Sequence, residues 1–487
     1  MSTSALRLSR RQALGLAAAG AAGAAGLRLV TLHLGGATAP VASASAAGPG
    51  GAWANPLGDA RAQAAHLLRR AGFGYTPAEL DAAASMAYAD LVDALVNQKP
   101  DPLPLPARPT DYRSVVQTWY AHMATTTSQF PERMTLFLHG HFTSDYRKAN
   151  RQPYVHQQNQ TYRSLGLTDL RSLLRAVTYD PLMMAYLDLT RSSATAPNEN
   201  YSRELMELYT MGVGNYSEAD VREGARALSG IRVKAVDANG NTAQIPRPTS
   251  RTAAALSQYY AQLDQLAQQG VVFKGVVSPR QHDQGTKTYL GRTGNLGPDD
   301  VIDAILAKDA TATFIAGKTL TYFSLMQPSN DYLNRVATAF RGSGYDMKTL
   351  MRTIFLSDEF RSGAAYRGLV RSPADYMVAT MRALGQPDLA AMAVTAGQGM
   401  DQVLYDPPTV AGWPLNGGWV SSSAWLARLG FAQTVVNRGG SLPDPVTAVQ
   451  TQLDGVVGAD TARVFNASQT ASDRWYALLA SPEFHLK

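Results

Sequence analysis

The chain reads as a mainly α-helical protein: one large helical domain with at most a small β-hairpin. Apolar residues recur at helical spacing through most of the sequence, helix-capping signatures begin many segments, and alternating apolar/polar runs are scarce. The first helical pattern starts after Asp59, in ARAQAAHLLRRAGFG. Ala64, Leu67, Leu68 and Ala71 share one face there, and Gly72 and Gly74 end it. Thr76-Pro77-Ala78-Glu79 then places a capping threonine, a proline at the first helical position and a glutamate at the third. The proline-rich connector 100–109 leads to an amphipathic helix from Tyr112, followed by helices at 131–142 and 169–177. Residues 232–270 read as an insertion, a polar Gly/Asn-containing loop and then a helical run. VVFKGVV at 271–277 is the best strand candidate. Pro298-Asp299-Asp300 and Asp309 start the next two helices. Further helices are expected at 331–341, 346–356, 373–384, 421–437, 443–454 and 470–480.

The beginning of the chain reads as an export leader. Ser9-Arg10-Arg11-Gln12-Ala13-Leu14 precedes a weakly apolar Ala/Gly run, and small residues around Ala42-Ser43-Ala44 offer a cleavage site. Paired arginines before a mildly hydrophobic run resemble a twin-arginine signal. The expected organisation is therefore a signal peptide over 1–44, a flexible Gly/Ala/Ser/Pro spacer over 45–58, and the helical domain over 59–487. Past the leader, no run reaches the roughly 18 apolar residues of a spanning helix. The protein is thus expected outside the cytoplasm with no transmembrane segment.

Composition narrows the function classes. Residues 1–44 carry four arginines and no acidic residue. Without them, Lys plus Arg falls from 44 to 40 against 38 Asp plus Glu, and the formal charge drops from +6 to +2. That balance gives no electrostatic case for nucleic acid. With no cysteine, disulfides, thiolate-ligated zinc, iron–sulfur clusters and cysteine nucleophiles are excluded. Any divalent metal would have to sit on His, Asp or Glu. Walker, GxGxxG, GxSxG and HExxH motifs do not occur.

Three segments concentrate polar chemistry. NENYSRELMELYTMGVGNYSEADVREGARALSG at 198–230 sets Asn200, Glu204 and Glu207 on one helical face, and Glu199 before Arg203 at i,i+4 on another. Buried carboxylates there need cations, donors or a metal; Arg69, Arg70 and Arg226 are candidate partners. His139-Gly140-His141 puts two imidazoles together. On a regular helix they point about 200° apart, but a helix ending at Gly140 could turn both onto one metal. His282-Asp283, with Lys287 nearby, suits either a base and its orienting carboxylate or a side-chain-stabilised turn. Trp413 and Trp419 lie in a Gly/Pro-rich loop, where rigid aromatics either stack on sugars or peptides or plug a core.

HLLRRAGFG at 66–74, ERMTLFLHGHFTS at 132–144, the 198–230 segment, HDQGTKTYLG at 282–291 and LYDPPTVAGWP with GGWV at 404–420 occur in this order. Together they resemble the bacterial family catalogued as domain of unknown function 1800. The resemblance implies an exported, mainly helical protein, often encoded beside a second exported family, domain of unknown function 1501, which is the expected partner. It implies no activity and no catalytic residue. Two functional readings follow. One is a metal-dependent enzyme acting on an envelope or extracellular polymer, with Glu204, His282 and Asp283 catalytic and His139 and His141 on the metal. The other is a non-catalytic binding or scaffold protein in which these residues, with Arg69, Arg70, Asn200, Arg203, Glu207, Lys287, Trp413 and Trp419, form a structural or ligand network.

Overall fold

The structure is a computed structural model and describes residues 54–487 apart from 107, 150 and 151. The expected leader, its cleavage site and most of the spacer lie outside the described residues. Helix dominates at 57%, with 6% strand. Among the described residues no helix is long and apolar enough to cross a membrane.

Local chemistry places the helices where the sequence signals them. Thr76 and Glu79 close a reciprocal capping box before the helix Pro77–Ala84. Asp111, Asp169, Ser329 and Asp346 each cap the helix that follows them through a side-chain oxygen. The expected helices at 373–384 and 421–437 form as Pro373–Leu384 and Ser422–Asn437. The 198–230 segment splits at Gly212 and Gly214, both at positive φ, into the helices Glu199–Glu207 and Glu218–Ala227.

The strand content exceeds a single hairpin. Residues 231–236 form β1, 242–243 form β2 and 272–277 form β3, in an antiparallel sheet ordered β2-β1-β3. Ile231 pairs with Val277 and Val236 with Val272, which confirms the strand expected at 271–277. The stretch read as an insertion therefore starts inside a strand, and its helical part is Ala253–Gln268. β4 (287–289) and β5 (292–294) make a second, two-stranded hairpin.

Two hydrophobic groupings form the core. One gathers the first helices, the 198–230 segment and residues 298–360; the other gathers 103–123, 374–405 and 431–484. The helix Gln129–His141 contributes to both and is buried continuously from Gln129 to His139. A helix enclosed on every side must match each polar side chain it carries. Glu132 meets that demand in full, Arg133 and His139 only in part, and their surroundings define the site.

Candidate functional site

The buried helix ends in a cleft. Gly140 meets the loop 401–416 head-on: a Cβ on Gly412 would lie 2.5 Å from the Gly140 carbonyl oxygen, and Gly412 sits at φ +89°. Only glycine satisfies both conditions. The same loop holds Asp401, Tyr405 and Asn416 at positive φ; Asp and Asn enter that region readily, and Tyr405 carries the strain. The space between helix end and loop encloses about 90 Å³. His139, His141, Trp413 and Trp419 line it, together with Lys318 and Tyr322 from the helix Asp309–Phe323.

His139 is buried within a box of three rings. Trp119 meets it edge-on at 5.2 Å, Tyr405 at 4.4 Å and Trp413 at 5.0 Å. Trp119 is itself fixed by its Nε1–H, which donates to Glu132 over 2.5 Å. Glu132 is buried, accepts two hydrogen bonds from Arg163 at 2.7 and 2.8 Å, and lies 3.4 Å from His122. Burial opposes its charge, but the hydrogen bonds of Arg163 and then His122 hold the carboxyl down to about 2.

The Tyr405 backbone N–H donates to His139 Nε2 over 3.1 Å. That nitrogen is therefore unprotonated, and the neutral ring carries its hydrogen on Nδ1. Burial lowers the His139 pKa to about 3, so the ring is neutral under ordinary conditions. Nδ1 has no hydrogen-bond partner among the described residues, and neither has Trp413 Nε1. Two unpaired N–H donors thus lie buried on adjacent rings of residues that line the cleft.

His141 adopts the opposite tautomer. Its Nε2 donates to the Tyr209 carbonyl oxygen over 3.0 Å, just past the helix Glu199–Glu207. Burial, then the Lys318 charge, lower its pKa to about 3. Lys318 stands exposed at the rim, its ammonium 5.4 Å above the Phe314 ring, and its pKa is lowered by partial desolvation. Ser372, Gln402, Lys318 and Tyr322 carried no signal in the sequence. Each is an ordinary residue of a helix or loop until the fold turns it toward the cleft.

The expected shared centre does not assemble. Glu204 is half-buried and makes no hydrogen bond or ion pair with a histidine among the described residues; burial, then neighbouring Glu207, raise its pKa. Glu207 accepts from the Tyr216 hydroxyl, and Asn200 is exposed. Arg203 pairs with Glu199 as expected at 3.4 Å, and more closely with Glu218 at 2.6 Å. Arg69 and Arg70 do not serve these carboxylates. Arg69 pairs with Asp454 and Tyr75, and Arg70 donates to the carbonyls of Phe323, Ser324 and Ala365.

The His282–Asp283 loop is a separate network. His282 Nδ1 donates to the Ser229 carbonyl over 3.0 Å. The Asp283 carboxylate turns away from it to Arg226 at 2.7 Å, whose hydrogen bonds hold the carboxyl below its usual range. Lys287 is buried and donates to the backbone of Asp283 and Gly285 and to Asn295. The loop is the side-chain-stabilised turn rather than a base with its orienting carboxylate.

A divalent metal does not fit the histidines as placed. The only lone pair of neutral His139 is spent on Tyr405, which removes one of the two expected ligands. No group of three or more His, Cys, Asp or Glu able to hold a metal ion occurs among the described residues.

Comparison with curated proteins and with solved structures gives no match. A model of protein families matches residues 66–486, a span that includes the helix end, the Gly-Trp loop and the polar networks around them. The chain accordingly belongs to the family described as protein of unknown function, DUF1800.

Proposed function

We propose that this is an exported binding protein that holds a segment of an envelope or extracellular polysaccharide in the cleft under the Gly-Trp loop. The carrying observation is the pair of unpartnered donors, His139 Nδ1–H and Trp413 Nε1–H, on rings 5.0 Å apart. Sugars offer an apolar C–H face and a fringe of oxygen acceptors. Trp413, Trp419 and Tyr322 supply surfaces for the first, and the N–H groups supply hydrogen bonds for the second. A donor left unmet in a desolvated site makes a ligand oxygen selective as well as favourable.

Binding is favoured over catalysis by the same geometry. Both cleft imidazoles are held neutral with pKa values near 3, far from the neutral range where a general base works best. His282 and Asp283 sit in another network, and Glu204 makes no hydrogen bond or ion pair with a histidine among the described residues. Export by the twin-arginine route and a working partnership with a co-encoded exported protein of the domain-of-unknown-function 1501 family complete the proposal.

The test is calorimetric titration of the full mature protein with a panel of neutral and acidic oligosaccharides, repeated with Trp413→Ala. One polysaccharide class should bind, and the substitution should weaken binding by up to about tenfold, the scale of one lost aromatic contact. Absence of binding to every member, or unaltered binding by Trp413→Ala, overturns the proposal.

A further inference from the structure

Behind Tyr322, a residue of the cleft wall, buried cations gather around one carboxylate. Tyr322 has the Arg133 guanidinium 5.2 Å and the Lys487 ammonium 5.3 Å from its ring centre. Both cations converge on one carboxylate: Arg133 Nη2 lies 2.9 Å and Lys487 Nζ 2.6 Å from Asp375 Oδ2. Arg371, next to the lining residue Ser372, is 3.8 Å from the other oxygen, beyond hydrogen-bonding distance. Arg428 donates to the Arg371 carbonyl oxygen. All five side chains are buried, and three of the cations, Arg133, Arg371 and Lys487, meet the single Asp375 carboxylate.

By contrast, Arg69 and Asp454 form a one-to-one buried pair. Arg133 Nε and Nη1 and Arg371 Nε and Nη1 have no hydrogen-bond partner among the described residues. Aromatic faces of Phe73, Tyr376 and Phe484 take up part of the cost, but a ring does not cancel a charge. Burial pushes Arg371 and Arg428 down to about 10, as crowded cations require. One turn before Tyr322 on the same helix, Lys318 makes no ion pair among the described residues, and no Asp or Glu lines the space.

We infer that the sugar unit bound in the cleft carries an oxyanion, a carboxylate, sulfate or phosphate, seated between Tyr322 and Lys318. This rests on the polysaccharide reading and narrows its substrate class. His139 Nδ1–H and Trp413 Nε1–H donate to the anion's oxygens, and Lys318 contributes a mobile charge at the rim. The buried arginines act through the field, which a low-dielectric wall transmits with little screening.

The experiment compares tetragalacturonate, a sulfated cellotetraose and neutral cellotetraose on the full mature protein, with wild type and Lys318→Glu. An acidic tetrasaccharide should bind at least about tenfold more tightly than the neutral one. That preference should shrink as salt rises from about 0.05 to about 0.5 M. It should collapse in Lys318→Glu, whose exposed position leaves folding intact. Whichever of the carboxylate and sulfate ligands binds identifies the oxyanion. Equal binding of acidic and neutral ligands, or a preference unchanged in Lys318→Glu, overturns this inference while leaving the polysaccharide reading in place. Failure of all three ligands counts against that reading itself.

Discussion

Glu132→Gln removes the charge of the one carboxylate of the buried helix. The side chain is 1% exposed, receives Arg163 at 2.7 and 2.8 Å, and fixes Trp119 against His139. Two routes give the cost. Leaving Arg163 buried without its counter-charge is worth about 3–5 kcal/mol. Independently, a carboxyl lowered from 4.5 to about 2 represents about 3 kcal/mol, at 1.36 kcal/mol per pH unit. The sign follows from the depressed folded-state value: the stabilisation is present above pH 4.5 and lost as pH falls from there toward 2. For a chain of 487 residues, an unfolding entropy of about 2 cal/mol/K per residue makes each kcal/mol about one degree. Calorimetry at pH 7 should therefore show Tm lowered by about 3–5 °C, with the gap to wild type closing under acid. The double variant Glu132→Leu, Arg163→Met should lose less than Glu132→Gln alone, because it leaves no orphaned charge. A Tm unchanged at pH 7, or a deficit that persists undiminished at pH 2, would refute the reasoning.

Three further expectations follow. Asp180 is buried beside Gln158 with no cation, and burial raises its carboxyl from 3.8 to about 7. A raised acid costs stability progressively as pH climbs from 3.8 to about 7 and no more above that, so Asp180→Asn should become the more stable protein by up to about 4 kcal/mol at pH 8. Denaturant titrations showing no growth of that gap between pH 4 and pH 8 would contradict the assignment. Gly412→Ala should shift the 401–416 loop off Gly140 and cost about 1–3 kcal/mol, the range for strain at a special φ; ligand titration should weaken in parallel, and unaltered stability and binding would deny the glycine its role. Arg10-Arg11→Lys-Lys should abolish export, measured by fractionation, since the pair is what twin-arginine recognition reads; continued export would point to the general secretory route.

The helices were legible because their signals are local. A capping box such as Thr76–Glu79 is written within four residues and is realised in the fold. β1 was not legible for the opposite reason. IRVKAV alternates weakly, and what makes it a strand is pairing with 272–277 across an intervening helix. The site divides in the same way. His139, His141, Trp413 and Trp419 stood out by type and spacing, and all four line one cleft. The Glu204–His282 grouping was drawn from density of polar residues, which says that partners are needed but not which ones. Here His282 meets the Ser229 carbonyl, Asp283 meets Arg226 and Glu207 meets Tyr216, while Glu204 stays half-buried beside Glu207. Lys318 and Tyr322 had no local mark, since only the packing of the helix Asp309–Phe323 against the Gln129–His141 end turns them inward.

The ties made by the first helix set a schedule for folding. From Ala60–Ala71, His66 reaches the Phe360 carbonyl, Arg70 those of Phe323 and Ser324, and Arg69 the Asp454 carboxylate, a sequence separation of 385. Until that aspartate has been synthesised, a guanidinium destined for the interior has no counter-charge and is best left in water. The earliest segment of the domain is thus among the last to be locked, and loop closures of this length are slow.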